Sequence, residues 1–149
     1  MNAESLRYAH RMEDERVSAI ARELERTREV VLAYLFGSVA RGEAGPGSDI
    51  DVAVALEPGI HNRLRFRARL AESLSRSSGS TVQVVDLAEA TPALGGRIVR
   101  DGTLLVCRDD TIRVRTEVHL LQREFDTAPL RRALDRAQSA AIKARSADG

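Results

Sequence analysis

Tryptophan is absent from this chain, and aromatic residues as a whole make up only 3 % of it. That excludes the rows of rings on which single-stranded nucleic acids stack. Charge of one sign is lacking as well. Lysine and arginine total 23 against 22 aspartates and glutamates, for a formal net charge of +1. Binding to a polyanion without sequence preference needs a basic excess, so nucleic acid is not expected as a direct ligand. The one cysteine, Cys107, excludes an intrachain disulfide, and its place after Leu104, Leu105 and Val106 fits a small core residue. His10, His61 and His119 do not fall at the spacing of a zinc site. No apolar run approaches the roughly 20 residues that span a bilayer. The first fifteen residues carry Glu4, Arg7, Arg11, Glu13, Asp14 and Glu15 where a secretion signal would be apolar. A cytoplasmic protein without a membrane partner is expected.

What is present is a globular composition. Hydrophobic residues at 43 % and charged residues at 30 % of 149 positions suit one domain with a real core, and leave no room for a large second one. Val17, Ile20, Ala21 and Leu24 recur at helical spacing within residues 13–29. Residues 30–36 form a near-continuous apolar run, the pattern of a strand buried on both faces. Residues 50–56 and 82–87 read as further strands, and 103–107 as a fourth. Ile60, Leu64, Ala68, Ala71 and Leu74 mark a helix, and Thr91-Pro92 begins another, with threonine as N-cap and proline at the first turn. Gly95-Gly96 is costly inside that helix. Val114, Val118, Leu121 and Phe125 mark a longer helix, and Pro129 is expected to open a last one. The expected class is α+β, a mixed sheet with helices packed on one face. The expected organisation is a single domain over 1–149, with a core of about 30–107 and a helical extension of about 109–145.

Asp49 and Asp51 carry the chemistry. Strand side chains alternate, so positions two apart share a face while Ile50 and Val52 point into the core. Two carboxylates about 4 Å apart repel by roughly 4 kcal/mol at an effective dielectric near 20. A bound divalent cation reverses that sign, and oxygen-only donors favour magnesium or manganese over zinc. Gly37-Ser38 ends the first strand, where a glycine lets backbone amides approach a phosphate and serine adds a hydroxyl donor. Arg41 adds a bidentate phosphate contact, and Ser48 lies beside the acid pair. Asp86, at the end of the third strand, is expected to complete the metal site and to accept a proton from an attacking hydroxyl. The competing reading of Asp86 is the N-cap of a helix that follows that strand. Arg63, Arg65, Arg67 and Arg69 are read as a solvated helix face.

Gly37-Ser38, ten residues and Asp49-Ile50-Asp51 resemble the signature of the minimal nucleotidyltransferases, which carry a polymerase-β-like palm. The resemblance runs on through Val84-Val85-Asp86-Leu87 and Asp101-Gly102. In size the chain is similar to the antitoxin members of MNT/HEPN toxin–antitoxin pairs. The resemblance implies transfer of AMP from ATP to a tyrosine hydroxyl of a HEPN ribonuclease toxin, the expected partner. It further implies two magnesium ions on Asp49 and Asp51 with Asp86 as third ligand, and Gly37 and Ser38 on the nucleotide phosphates. Two other readings stay open: a transferase acting on an aminoglycoside-like alcohol, and an antitoxin that acts by binding alone.

Overall fold

The computed structural model describes residues 15–44 and 47–147. Helix α1 (Glu15–Arg26) buries Val17, Ile20, Ala21 and Leu24, the one stripe its apolar spacing permits. The chain then enters β1 (Val30–Phe36), buried along its length until Phe36. A single-turn helix α2 (Gly37–Arg41) follows directly. Next come β2 (Ile50–Leu56), α3 (Arg63–Ser78), β3 (Val82–Asp86), α4 (Pro92–Asp101), β4 (Thr103–Cys107) and α5 (Asp110–Ala147). The helix boundaries carry capping chemistry, of which Thr91 was expected from the sequence and Asn62 and Gly79 are added by the structure. The Asn62 side chain accepts from Arg65 N–H, Gly79 closes α3 in the left-handed region, and Thr91 Oγ1 accepts from Leu94 N–H ahead of Pro92.

The four strands form one mixed sheet in the order β3-β2-β1-β4. β1 runs antiparallel to both β2 and β4, and β2 runs parallel to β3. Phe36 lies opposite Asp51, so the end of β1, the start of β2 and α2 meet at one end of the sheet. That junction positions the site.

The class is as expected, but helices cover both faces of the sheet rather than one. Ile50, Val52 and Val54 of β2 pack with Val17, Ile20 and Leu24 of α1 and Leu70 and Leu74 of α3. Leu32, Tyr34 and Ala53 pack on the other face with Ile98 of α4 and Leu120 of α5. The cause is β1 itself, whose apolar residues on both faces each require a cover. Gly95 and Gly96 are explained by the same packing. A Cβ on Gly95 would lie 2.9 Å from Leu120 Cδ2, and one on Gly96 would run into the Glu124 side chain. The α4–α5 approach is therefore closer than any larger residue allows. Glu124 in turn accepts two hydrogen bonds from Arg100, and Tyr34 Oη donates to Glu117 Oε1 at 2.8 Å, fastening α5 to the sheet.

Two further expectations are corrected. Pro129 does not open a new helix but lies inside the 38-residue α5. Its ring removes one backbone donor, a loss that a solvated stretch without buried residues tolerates. Leu64 is exposed, because α3 turns Leu70 and Leu74 inward instead. No helix among the described residues is long and apolar enough to cross a membrane.

Candidate active site

Gly37 has a φ of 73°, in the left-handed region that side-chain-bearing residues rarely adopt. A Cβ at this position would also overlap Asp51 Oδ2. Glycine is thus required twice: to turn β1 into α2, and to leave room for the carboxylate opposite. The result is a cavity of about 360 Å³ bordered by Gly37, Ser38, Arg41 and Asp51, with Arg97 and Asp101 contributed by α4.

Asp51 is half-buried and Asp49 exposed. Burial pushes the Asp51 carboxyl above the usual carboxylate range, the neighbouring charge of Asp49 raises it further, and Arg41 opposes both. This is the electrostatic state expected of a pair built for a cation that the protein alone does not supply. Arg41 is exposed, and its Nε donates to Glu43 Oε2 at 3.0 Å. Ser48 is half-buried just ahead of Asp49 and stands outside the cavity wall. The donor set fits a hard divalent ion: carboxylate oxygens on one strand face, beside a glycine turn that nothing larger can replace. Because α2 begins directly at Gly37, its first amides have no partners within the helix.

The structure does not bring Asp86 to this pair, which corrects the expected third ligand and base. β2 and β3 are in parallel register with Val54 opposite Asp86 and Asp51 opposite Gln83. Asp86 therefore shares a face with Val82 and Val84, one strand position out of phase with Asp51 and further along the sheet. It is 1 % exposed and held by Arg63, whose Nε donates to Oδ2 at 2.8 Å and Nη2 to Oδ1 at 2.9 Å. Ala88 N–H also donates to Oδ1 at 3.0 Å, which closes a local turn; the next helix begins only at Pro92 with Thr91 as its N-cap, so the helix-capping alternative for Asp86 is not realised either. Nor are the α3 arginines only a solvated face: Arg63 holds Asp86, and Arg67 pairs with Glu89. Among the described residues no three acids, histidines or cysteines come close enough to share an ion.

Two consequences are measurable. Asp86→Asn leaves the Arg63 guanidinium without its counter-charge in a partly buried position. It is expected to lower stability by about 1–3 kcal/mol while Mn²⁺ binding by the folded protein persists, as denaturant titration and calorimetry would report. The raised Asp51 pKa means that protons compete with a cation at a higher pH than for an ordinary carboxylate. Affinity for Mn²⁺ is therefore expected to fall on acidification before the usual carboxylate range is reached, and calorimetry across that range checks it.

Sequence reasoning missed Arg97 and Asp101 as cavity residues. Arg97 lies on the exposed side of α4 and has no motif, so only the packing of α4 over the strand ends reveals it. His61 and His119 are exposed, as surface residues would be, whereas Tyr8 and His10 lie outside the described residues.

A family model described as polymerase beta, nucleotidyltransferase matches residues 18–111. The protein adenylyltransferase MntA of Shewanella oneidensis is 38 % identical over 74 residues, which are 50 % of this chain and 52 % of the relative. The match thus spans about half the length of that curated protein. A crystal structure of a toxin–antitoxin with AMP-PNP superimposes with a TM-score of 0.67 at 26 % identity, covering 82 % of this chain and 98 % of that one. The fold is also that of a chain in the complex of a tri-AMPylated Shewanella oneidensis HEPN toxin with its MNT antitoxin. There the TM-score is 0.63 at 24 % identity, over 83 % of this chain and 96 % of the other.

Proposed function

From the premise that the chain belongs to the polymerase beta nucleotidyltransferase family, we propose that it is a protein adenylyltransferase that transfers AMP from ATP to a tyrosine hydroxyl of a HEPN-type toxin. The observation that carries this reading is the cavity in which Asp51, beside Asp49, faces the Gly37-Ser38 turn. Similarity to the protein adenylyltransferase MntA supports AMP as the group transferred and a protein as its acceptor; likeness to the MNT antitoxin found with a tri-AMPylated HEPN toxin supports that class of acceptor, and the tyrosine is what the resemblance in sequence implies.

In the proposed reaction the acceptor oxygen attacks the α-phosphorus in line, the bond to the bridging oxygen breaks, and pyrophosphate leaves with the displaced electron pair. The hydroxyl proton passes to solvent. Asp49 and Asp51 would hold the magnesium ions, which when bound would supply charge stabilisation for the transfer. The Gly37 and Ser38 amides and the Ser38 hydroxyl bind phosphate oxygens, and Arg41 and Arg97 reach the remaining negative charge from either wall. Arg41 exchanges Glu43 for phosphate, an exposed pair worth at most about 1 kcal/mol. The protein's own share is position and fixed charge. The chain acts as one domain in the cytoplasm, with α5 as its helical extension.

ATP labelled in turn at the α- and γ-phosphates, incubated with magnesium and a HEPN-type protein, tests this reading. Only α-label is expected to reach the partner. Transfer of γ-label, or movement of α-label to an aminoglycoside in place of protein, contradicts it.

A further inference from the structure

Once Asp86 is committed to Arg63, no third acid among the described residues joins Asp49 and Asp51, and the register of the sheet says which residue stands beside them. Gln83 lies directly opposite Asp51 in the parallel β2–β3 pairing. Paired residues of neighbouring strands project to the same face, so Gln83 belongs to the face of Asp49 and Asp51 rather than to that of Asp86. Its side chain already reaches the pair: Nε2 donates to Asp49 Oδ2 at 3.2 Å. The strand pattern marks it as well, since Gln83 is the exposed member between Val82 and Val84.

We propose that Gln83 is the third protein donor of the metal site, placing its Oε1 on the cation and holding Asp49 through Nε2 when no cation is bound. The proposal rests on the reading that Asp49 and Asp51 bind a divalent ion. An amide carries an acceptor oxygen and a donor nitrogen on one carbon, and a half-turn about its terminal torsion exchanges them. With the nitrogen forward, Gln83 relieves the negative charge of Asp49. With the oxygen forward, it adds a ligand of the kind that magnesium, manganese and calcium accept. A neutral third donor also sets the charge of the site. The protein supplies two negative charges instead of three, so a free ion is held less tightly, and the triphosphate completes the coordination with its own oxygens. Gln83 would then make the site responsive to nucleotide and metal arriving together.

The test is Mn²⁺ binding to the full-length protein without nucleotide, by electron paramagnetic resonance, in wild type, Gln83→Glu, Gln83→Ala and Asp49→Asn. Mn²⁺ alone is the probe. Gln83→Glu is expected to bind roughly tenfold more tightly, because affinity follows ligand charge, and Gln83→Ala roughly tenfold more weakly. Melting adds a reading that a purely structural role would not move. The Gln83→Glu protein should melt below wild type without metal, where three carboxylates repel, and recover with Mn²⁺. If wild type binds Mn²⁺, Asp49→Asn does not, and both Gln83 variants match wild type or Gln83→Glu binds more weakly, the assignment of Gln83 is overturned while the acid pair stands. If wild type and Asp49→Asn alike fail to bind, the metal reading falls and this assignment with it.

Discussion

Asp51→Asn is expected to lower AMP transfer about a thousandfold and, at the same time, to raise the melting temperature of the metal-free protein. The two effects have one cause. The Asp51 carboxyl is half-buried, faces Asp49 and has a pKa pushed up by both. A carboxyl with a raised folded-state pKa contributes stability that is present below its unfolded pKa and lost as pH rises through the folded one. At neutral pH the ionised group therefore works against folding, and a neutral amide of the same shape removes that penalty. Transfer needs the charge that folding resists. Metal-ion stabilisation of a phosphoryl transition state is worth several kcal/mol, and 4 kcal/mol corresponds to roughly a thousandfold. Thermal melts should show the gain above the raised pKa and none well below it. Asp49→Asn should depress transfer comparably with a smaller gain in stability, since Asp49 is exposed. A variant that loses activity by unfolding would show the opposite melting shift.

Gly37→Ala is expected to be nearly as damaging to transfer, and to destabilise where Asp51→Asn stabilises. The left-handed backbone at φ 73° costs an alanine about 1–2 kcal/mol relative to glycine. The added methyl would overlap Asp51 Oδ2, so either the turn or the carboxylate must move. Misplacement of a reacting or ligating group by about 1 Å costs on the order of a hundredfold in rate. A loss near that size in kcat, with a melting temperature several degrees below wild type, checks the claim. Retained activity would mean that Asp51 need not stand where the structure puts it. Ser38→Ala removes a single hydroxyl donor without touching backbone geometry, and its loss should be much smaller.

How much of this was legible beforehand depends on the reach of each signal. The acid pair, its shared face and the neighbouring glycine turn are local, fixed by strand alternation and by residues adjacent in sequence. They could be read directly from Asp49, Ile50 and Asp51. The four strands were legible for the same reason, as short apolar runs bounded by turn residues. Asp86 was misassigned because its role depends on the register between β2 and β3, which no local pattern specifies. A slip of one residue moves a strand's side chains to the other face. Here the register sets Gln83 beside Asp51 and sends Asp86 to Arg63. The cover of the second face was underestimated, although the unbroken apolar character of Val30 to Phe36 already required it. Arg97 was out of reach altogether, since its place depends on how α4 crosses the strand ends. The glycine pair at Gly95-Gly96 was visible as a local conflict, and the conflict marks the tight α4–α5 contact. Pro129 misled because a proline can also lie inside a helix where its missing N–H and its ring are accommodated, as they are in α5.

The most direct measurement of the central claim is the intact mass of a HEPN-type partner after incubation with this protein, ATP and magnesium, with fragmentation to locate any added group. The expected result is a gain in whole AMP units on a tyrosine, absent with Asp49→Asn and Asp51→Asn. A partner that forms a complex with the wild-type protein yet keeps its unmodified mass, with its toxicity neutralised equally by the Asp49→Asn variant, would contradict it.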